Sequence, residues 1–537
     1  MNKIIKFSAL ALMASVAMTG CIKETQPTTV VTAEAVEQSS SAVEGMVNAI
    51  AVREAMPGGV YSNVHFDFGY PAIMLANDTA IGDVVTAAGD TGSNYDWFDF
   101  WSAGYSLNST QYSPFMWYSY YDFIKTCNDV IAVVQDPQTD DMKAYLAYAK
   151  ANRAAFYLDM ARAYDPLENE YTDVSAVKGL TIPKITETTT EEEARNNPRM
   201  TRDEAFAFIF QDLADAETLL TDNSFSGGKT TPSLGVVYGL MARAYLWLGG
   251  FDSANYAKAA TYARKAIDTS KATVMTESQW LDPKMGFNTP NNSWMWYIPQ
   301  SPEGTSNLLN YVAWLSYEGT WGYGAMVNKG VTPRFYDRIS DTDWRKRAFL
   351  GEDPLDWYAE NADISNLDLN TYDANTVYPY ASVKFRPLNG ETADDTKGNA
   401  TSVVTMRVEE MLLIEAEATA YTDPAAALKM LQEFMLTRDE AYSFSSTDTA
   451  TLVEEIIWQK RVELWGEGIL FYDFKRLDMS IQNGYKESNV PKTSKLNTDG
   501  RAPWWNFVIP EQETQQNTVL GETNNPEVSD LVDEWSE

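Results

Sequence analysis

A pair of adjacent helices is the feature of this sequence that most restricts the possible folds. Pro232 to Leu248 and Ala254 to Asp268 both carry small or apolar residues at three- and four-residue intervals, with Gly249-Gly250 between them. The second segment also carries several small residues, which would let the two helices approach closely: Ala254, Ala259, Ala263 and Ala266. The pattern predicts a packed helical hairpin and a fold that is mainly α-helical.

Three further stretches have the same spacing. One runs from Asp141 to Tyr164, and a second begins at Thr201, where Glu204 completes a capping box. The third runs from Met406 to Tyr421 and continues from Ala425 to Leu436 as a second hairpin. The hairpins resemble tetratricopeptide repeats, but irregular stretches of unequal length separate them, so a regular repeat array is excluded.

The chain changes character between residues 269 and 405. This stretch is rich in Gly, Asn, Pro and Trp and has no clear helical pattern, so it must pack on the helices around it. We therefore predict one domain over residues 42–537, with a helical scaffold at 42–268 and 406–537 and a loop-rich, partly β insert at 269–405.

The N-terminus has the pattern of an export signal. Lys3 and Lys6 precede an apolar stretch that ends before Cys21, and this stretch is too short to cross a bilayer. Residues 18–21, Met-Thr-Gly-Cys, resemble a bacterial lipobox, in which the cysteine is acylated, for example with palmitate. We predict a signal peptide at 1–20, lipidation of Cys21 and a tether at 21–41; the alternative is an ordinary secretory peptide with an incidental cysteine.

Composition excludes several functional classes. The formal net charge of −34 disfavours nucleic acid as a ligand. One histidine, His65, and two cysteines are too few for a zinc or iron–sulfur site, and no cofactor is expected. Cys127 lies within a helical pattern and is expected to be a small buried residue.

The C-terminal third carries the most specific motifs. They are Arg407 to Ala418, Lys460 to Gly468, Tyr472 to Arg476, and Val508 to Glu511 followed by Asn517. Together they resemble the SusD-like (RagB/SusD) family, the surface glycan-binding lipoproteins of the Bacteroidetes. The match continues in order through the N-terminal half, at residues 124–128, 153–164 and 199–220 and in the first hairpin.

The resemblance implies a location and a partner. It implies a lipid-anchored protein on the outer face of the outer membrane, with loops of the insert forming the ligand surface. It also implies pairing with a SusC-like TonB-dependent transporter. No catalytic activity is implied.

The acidic residues of these motifs allow two interpretations. Glu409, Glu410, Glu463 and Glu467, with Arg461, have the spacing of an ion-pair ladder between neighbouring helices. Two of the carboxylates could instead cleave a glycoside, which requires an open cleft between them. Their apolar helical context favours the scaffold, so we predict a binding protein and not an enzyme.

Aromatic residues make up 13% of the chain, and some are expected to contact ligand. Residues 95–101 resemble the Asp-Trp segment of the family, which contributes a ring to the ligand site, so Trp97 is the first candidate. Asp96, Trp101 and Asp78 are expected to assist it, since carboxylates bind sugar hydroxyls. Alternatively, Trp97 and Trp101 form one face of a buried helix.

A second aromatic group lies in the insert. Trp314 and Trp321 stand near glycine-rich turns, which are expected to expose them. Trp296 and Tyr297 belong to an alternating segment that predicts a strand, so at most half of its rings should be available.

These features predict capture of a neutral oligo- or polysaccharide for transport. The alternative is capture of peptides for import, in which extended backbone is hydrogen-bonded and rings fill side-chain pockets. A glycoside hydrolase is the weakest hypothesis.

Overall fold

Helices form about half of the computed structural model, which describes residues 39–61, 64–91, 112–306, 308–327, 329–367 and 378–528. The mainly α-helical class is therefore confirmed. The helices are α1 (Ser40–Glu54), α2 (Tyr70–Ala80), α3 (Tyr112–Val133), α4 (Asp140–Tyr164), α5 (Glu191–Ala194), α6 (Arg202–Leu220), α7 (Leu234–Gly249), α8 (Ala254–Ser270), α9 (Glu277–Trp280), α10 (Tyr311–Leu315), α11 (Pro333–Arg338), α12 (Pro354–Glu360), α13 (Asp395–Gly398), α14 (Val408–Ala420), α15 (Pro424–Met435), α16 (Thr449–Glu463), α17 (Leu470–Arg476), α18 (Glu511–Gln516) and α19 (Thr518–Glu522).

The strands are short and pair in twos. They are β1 (Val85–Thr86), β2 (Leu180–Pro183), β3 (Arg199–Thr201), β4 (Trp294–Ile298), β5 (Lys329–Gly330) and β6 (Val403–Arg407). The antiparallel pairs are β1 with β5, β2 with β3, and β4 with β6. Strand β4 belongs to the insert and β6 leads into the C-terminal scaffold, so this pair joins the two parts.

The predicted helical hairpins are confirmed. Helices α7 and α8 form the first pair, and α14 and α15 form the second. The capping box at the start of α6 is also present: Thr201 Oγ1 accepts from the backbone N–H of Glu204, while the Glu204 carboxylate accepts from that of Thr201 at 2.8 Å. Helices α4, α6, α7, α8, α14 and α15 pack one against the next, so the two halves of the scaffold meet at α8 and α14.

Two predictions about the insert and its border are wrong. Met406 does not begin a helix but lies in β6, where pairing with β4 keeps the backbone extended up to Arg407. The insert also contains short helices that apolar spacing did not indicate. Side-chain caps from Thr276, Asn310 and Asp353 start three of them, and these caps were the available sequence signal.

The apolar residues form two cores. The larger core runs through the scaffold and the insert, and it includes Cys127, which is fully buried as predicted. Burial raises the pKa of the Cys127 thiol well above its ordinary value. A smaller core lies between α14, α15 and α16, centred on Leu431 and Ile456.

Residues 1–38, which include the predicted signal peptide, Cys21 and most of the tether, lie outside the described residues. Helix α1 begins at Ser40, at the end of the predicted tether. Within the described ranges, no helix is both long enough and apolar enough to span a membrane.

A cluster of buried ion pairs joins the insert to the scaffold. Glu463, at the end of α16, is fully buried and contacts three arginines: Arg345 at 3.0 Å, Arg407 at 2.8 Å and Arg438 at 3.0 Å. Burial alone would raise the pKa of Glu463, but the charges of the three arginines outweigh it and hold that pKa well below its usual value.

Further acidic residues of the motifs complete this cluster. Glu467 binds Arg407 and Lys384 at 2.8 and 2.7 Å, and Glu409 lies 3.1 Å from Arg407. Glu410 pairs separately with Arg243 at 2.6 Å. The four carboxylates are buried counter-ions, which agrees with the scaffold interpretation and leaves them no open cleft for glycoside cleavage.

Arg461 was expected in the same ladder, but it pairs with Asp83. Its guanidinium binds both carboxylate oxygens of Asp83, at 2.6 and 2.9 Å. It therefore ties α16 to the loop that precedes β1.

Replacing Glu463 with glutamine should strongly destabilise the fold, because three buried arginines lose their shared counter-ion. We expect the free energy of unfolding to fall by about 3–5 kcal/mol in urea denaturation. Glu191→Gln is the matched control: Glu191 pairs with Arg195 at 2.6 Å but is exposed, so its loss should change stability by less than about 1 kcal/mol. Similar effects for the two variants would contradict the importance of the cluster.

Candidate functional site

For the first predicted aromatic group, the structure describes only the residues on either side of it. Asp96, Trp97 and Trp101 lie outside the described residues. The chain enters this segment after β1, and β1 pairs with β5 through Val85 with Gly330 and Thr86 with Lys329. Because β5 follows Trp314 and Trp321 along the chain, one strand pair connects the flanks of both predicted aromatic groups.

Asp78 is a buried structural residue, contrary to its predicted position on a ligand surface. Its carboxylate accepts a hydrogen bond from the backbone N–H of Gly468 at 2.9 Å, and the side chain of Asn77 donates to the carbonyl of Gly468 at 3.2 Å. Burial raises the pKa of Asp78 well above its ordinary value. The pair of side chains fastens α2 to the turn before α17.

Gly468 is required at this contact. It has a φ of 76°, and a Cβ there would come within 2.4 Å of the backbone of Met74. The backbone of Gly468 therefore lies close against that of Met74, and this close packing places the N–H of Gly468 where it binds Asp78, away from any surface loop.

Trp314 is also fully buried, so the prediction that it is exposed is wrong. Its ring stacks on Tyr323, with centroids 3.7 Å apart and planes 13° apart. The Tyr323 hydroxyl in turn hydrogen-bonds Nδ1 of His65, which is half-buried. Tyr323 lies in the helical turn at Gly322–Ala325, and its carbonyl accepts a hydrogen bond from the N–H of Val327 at 2.7 Å.

Trp321 is 7% exposed and packs against glycine backbone. A Cβ on Gly398 would lie 2.3 Å from Cη2 of this ring. A Cβ on Gly319 would lie 3.6 Å from Cε2 of the same ring, which is an ordinary contact distance. The glycines near Trp321 were expected to expose it. Trp321 is buried instead, and its tightest glycine contact is with Gly398, from a distant part of the chain, where the absence of a side chain lets the indole approach the backbone.

The predicted strand around Trp296 is confirmed as β4, but its rings are less available than expected. Trp294 and Trp296 are both buried, and only Tyr297 is half-buried. The pairing with β6 shifts register on either side of Trp296, so the simple alternation of faces is lost. Helices α1 and α7 also contact β4.

The three predicted tryptophans of the insert, Trp296, Trp314 and Trp321, are therefore packed in the interior and do not form an exposed ligand surface. Trp296, Trp314 and Trp321 stabilise the fold around β4 and the β1–β5 pair. No local sequence signal indicated this burial, because Trp321 meets Gly398 from a distant part of the chain and Trp314 is covered by Tyr323.

Two family models match the chain and together include both parts of the scaffold. Residues 69–246 match a model described as "Starch-binding associating with outer membrane", and residues 265–526 match a model described as "SusD family". The chain belongs to the SusD family. The resemblance inferred from the C-terminal motifs is confirmed.

Solved structures of SusD proteins share this fold. A SusD-like carbohydrate binding protein from Bacteroides vulgatus is 22% identical, with a TM-score of 0.72, and the match covers 91% of this chain and 99% of that one. Surface glycan-binding protein A from Bacteroides thetaiotaomicron is 15% identical, with a TM-score of 0.64 and coverage of 90% and 98%. No curated protein sequence matches the chain.

Because Trp314 is fully buried, its replacement should lower the stability of the fold and should not remove a direct ligand contact. Trp314→Ala removes a stacked indole and leaves a cavity, so we expect the free energy of unfolding to fall by about 3–5 kcal/mol. Phe251→Ala is the control, since Phe251 is 43% exposed and should lose less than about 1 kcal/mol. Weaker glycan binding by Trp314→Ala at unchanged stability would show that this ring contacts ligand directly.

Proposed function

We propose that this SusD-family protein is a cell-surface lipoprotein that captures oligo- or polysaccharide and delivers it to a SusC-like TonB-dependent transporter. The observation that carries the proposal is the match of the SusD-type family models to residues 69–246 and 265–526. Two of the structurally similar proteins are named as carbohydrate- or glycan-binding, which supports the same ligand class.

Trp97 is the residue we propose to stack on the sugar, with Asp96 and Trp101 beside it. A pyranose presents a face of C–H bonds to an aromatic ring, while carboxylates bind hydroxyls at its edge. The burial of Trp296, Trp314 and Trp321 supports this choice, because those rings are already engaged in packing.

The charge of the protein favours a neutral ligand. The formal net charge of −34 repels anions over the surface as a whole, whereas a neutral glycan is indifferent to that field. Recognition would then depend on ring stacking and hydroxyl contacts. No covalent step is proposed, since the acidic residues of the family motifs are buried counter-ions.

Acylation of Cys21 would hold the protein at the outer membrane. The chain between Cys21 and α1, which begins at Ser40, could span roughly 60 Å when extended. A tether of this length would let the folded body move toward and away from a transporter without leaving the membrane.

Trp97→Ala should weaken glycan binding, because a stacking ring is lost. The measurement is affinity gel electrophoresis of the soluble form from Ile22 onward, in gels cast with a panel of neutral polysaccharides. We expect one polysaccharide to retard the parent protein and the variant to lose most of that retardation, which corresponds to about tenfold weaker binding.

Phe251→Ala serves as the control for this gel experiment, since it removes an exposed ring from the turn after α7. It should run like the parent protein. Full retardation of Trp97→Ala would contradict the proposed role of Trp97. If no polysaccharide retards the parent, glycan capture loses its support, and calorimetry with short peptides tests the alternative ligand class.

Cys21→Ala should abolish lipidation. In a Bacteroidetes host fed an alkyne analogue of palmitate, we expect label on the parent protein and none on the variant. Cys127→Ala should keep the label, because Cys127 is buried and lies outside the lipobox. Label retained by Cys21→Ala would show that the predicted anchor is wrong.

A further inference from the structure

A large cavity opens where the insert meets the second helical hairpin. Its volume is about 1060 Å³, slightly above the range of about 300–1,000 Å³ that is typical of small-molecule sites. Its walls come from residues 274–277 after α8, 336–347 around α11, 357–361 at the end of α12, and 436–440 after α15. The lining includes no residue of the β1–β5 pair or of the Trp314 stack.

Trp344 provides an aromatic ring in this cavity. Its Nε1 donates to the carbonyl of Thr437 at 3.0 Å, and its ring packs edge-on against Trp280 with centroids 5.6 Å apart. The guanidinium of Arg438 lies 5.1 Å from the ring centroid. These contacts fix the indole, while part of it stays accessible to the cavity.

Polar groups of fixed orientation line the same cavity as this ring. Arg347 donates to Asn361 at 2.8 Å, to Glu277 at 3.0 Å and to both carboxylate oxygens of Asp363 at 2.9 and 3.0 Å. Lys346 contacts Asp341 at 2.7 Å. Sugar hydroxyls both donate and accept, so a wall that alternates carboxylates with cations can bind several of them.

The charge of the lining indicates which sugars would fit. Five carboxylates line the cavity against three cationic side chains: Glu277, Asp341, Asp343, Glu360 and Glu440 against Lys346, Arg347 and Arg438. Sugars that carry carboxylate or sulfate groups would be repelled by this excess of negative charge. A neutral sugar with one apolar face and several hydroxyls matches both the ring and the polar wall.

We propose that this cavity is a second binding site for a neutral oligosaccharide, with Trp344 as its stacking ring. The inference rests on the proposed glycan capture and adds a site distinct from Trp97. Single sugar-stacking sites bind weakly, and two of them on one chain hold a polymer more tightly than either does alone, because binding at the first raises the local concentration at the second.

Isothermal titration calorimetry tests the proposal with malto-, cello- and mannohexaose, with oligogalacturonate as an acidic probe. We expect the parent protein to bind one neutral hexaose at two sites and not to bind oligogalacturonate. Trp344→Ala should bind the same hexaose only at the Trp97 site, and Trp97→Ala should bind it only at the Trp344 site. The polysaccharide that retards the parent in gels should bind Trp344→Ala about tenfold more weakly.

A second variant separates loss of the site from loss of the fold. Glu277→Ala removes a half-exposed carboxylate from the wall and leaves the packing of the Trp344 ring intact, so it should weaken the second site while thermal stability stays unchanged. Phe251→Ala, outside the cavity, should keep both sites.

The results distinguish the two proposals. One hexaose site that Trp97→Ala abolishes, and that Trp344→Ala and Glu277→Ala leave unchanged, would overturn the second site while glycan capture stands. Stronger binding of oligogalacturonate than of any neutral hexaose, lost in Trp344→Ala, would overturn the assigned ligand class. Absence of glycan binding in the parent would overturn both proposals.

Discussion

The shared counter-ion Glu463 is the contact on which the rest of the architecture depends. Its three arginine partners come from different parts of the chain: Arg345 from the insert, Arg407 from the end of β6, and Arg438 from the loop after α15. Charges buried at this depth are stable only when each has its partner. The cluster therefore requires the insert, the strand pair β4–β6 and the second hairpin to be in place together.

A second buried network continues this arrangement into the scaffold. Lys460 lies 3.0 Å from Glu417 and 2.5 Å from Asp473, and Arg476 binds the same two carboxylates. These pairs connect α14, α16 and α17. The acidic motifs that identify the family thus act as internal connectors, and the ligand contacts that we propose are made by other residues, Trp97 and Trp344.

The same cluster supports the cavity that contains Trp344. This tryptophan is the neighbour of Arg345 in the chain, and Arg438 contacts both its ring and Glu463. The indole is therefore positioned by the rigid interior and not by a loose surface loop. Preorganisation of this kind lowers the entropy that a sugar-binding site loses when a ligand docks.

Local patterns predicted the helices well and the ring positions poorly, for a physical reason. The hairpins and the capping box at Thr201 depend on residues within a few positions of each other, so periodicity and caps reveal them. The burial of Trp321 depends on Gly398, and that of Asp78 depends on Gly468, 390 residues further along the chain. The cavity around Trp344 combines separate segments, and no single segment carries its signal.

The burial of Cys127 has a practical consequence for labelling the protein. The form from Ile22 onward contains no other cysteine, and the Cys127 thiol is inaccessible and kept protonated by its raised pKa. A cysteine introduced at any exposed position would be the single reactive thiol, so one fluorophore could be attached at a chosen point without altering the native sequence elsewhere.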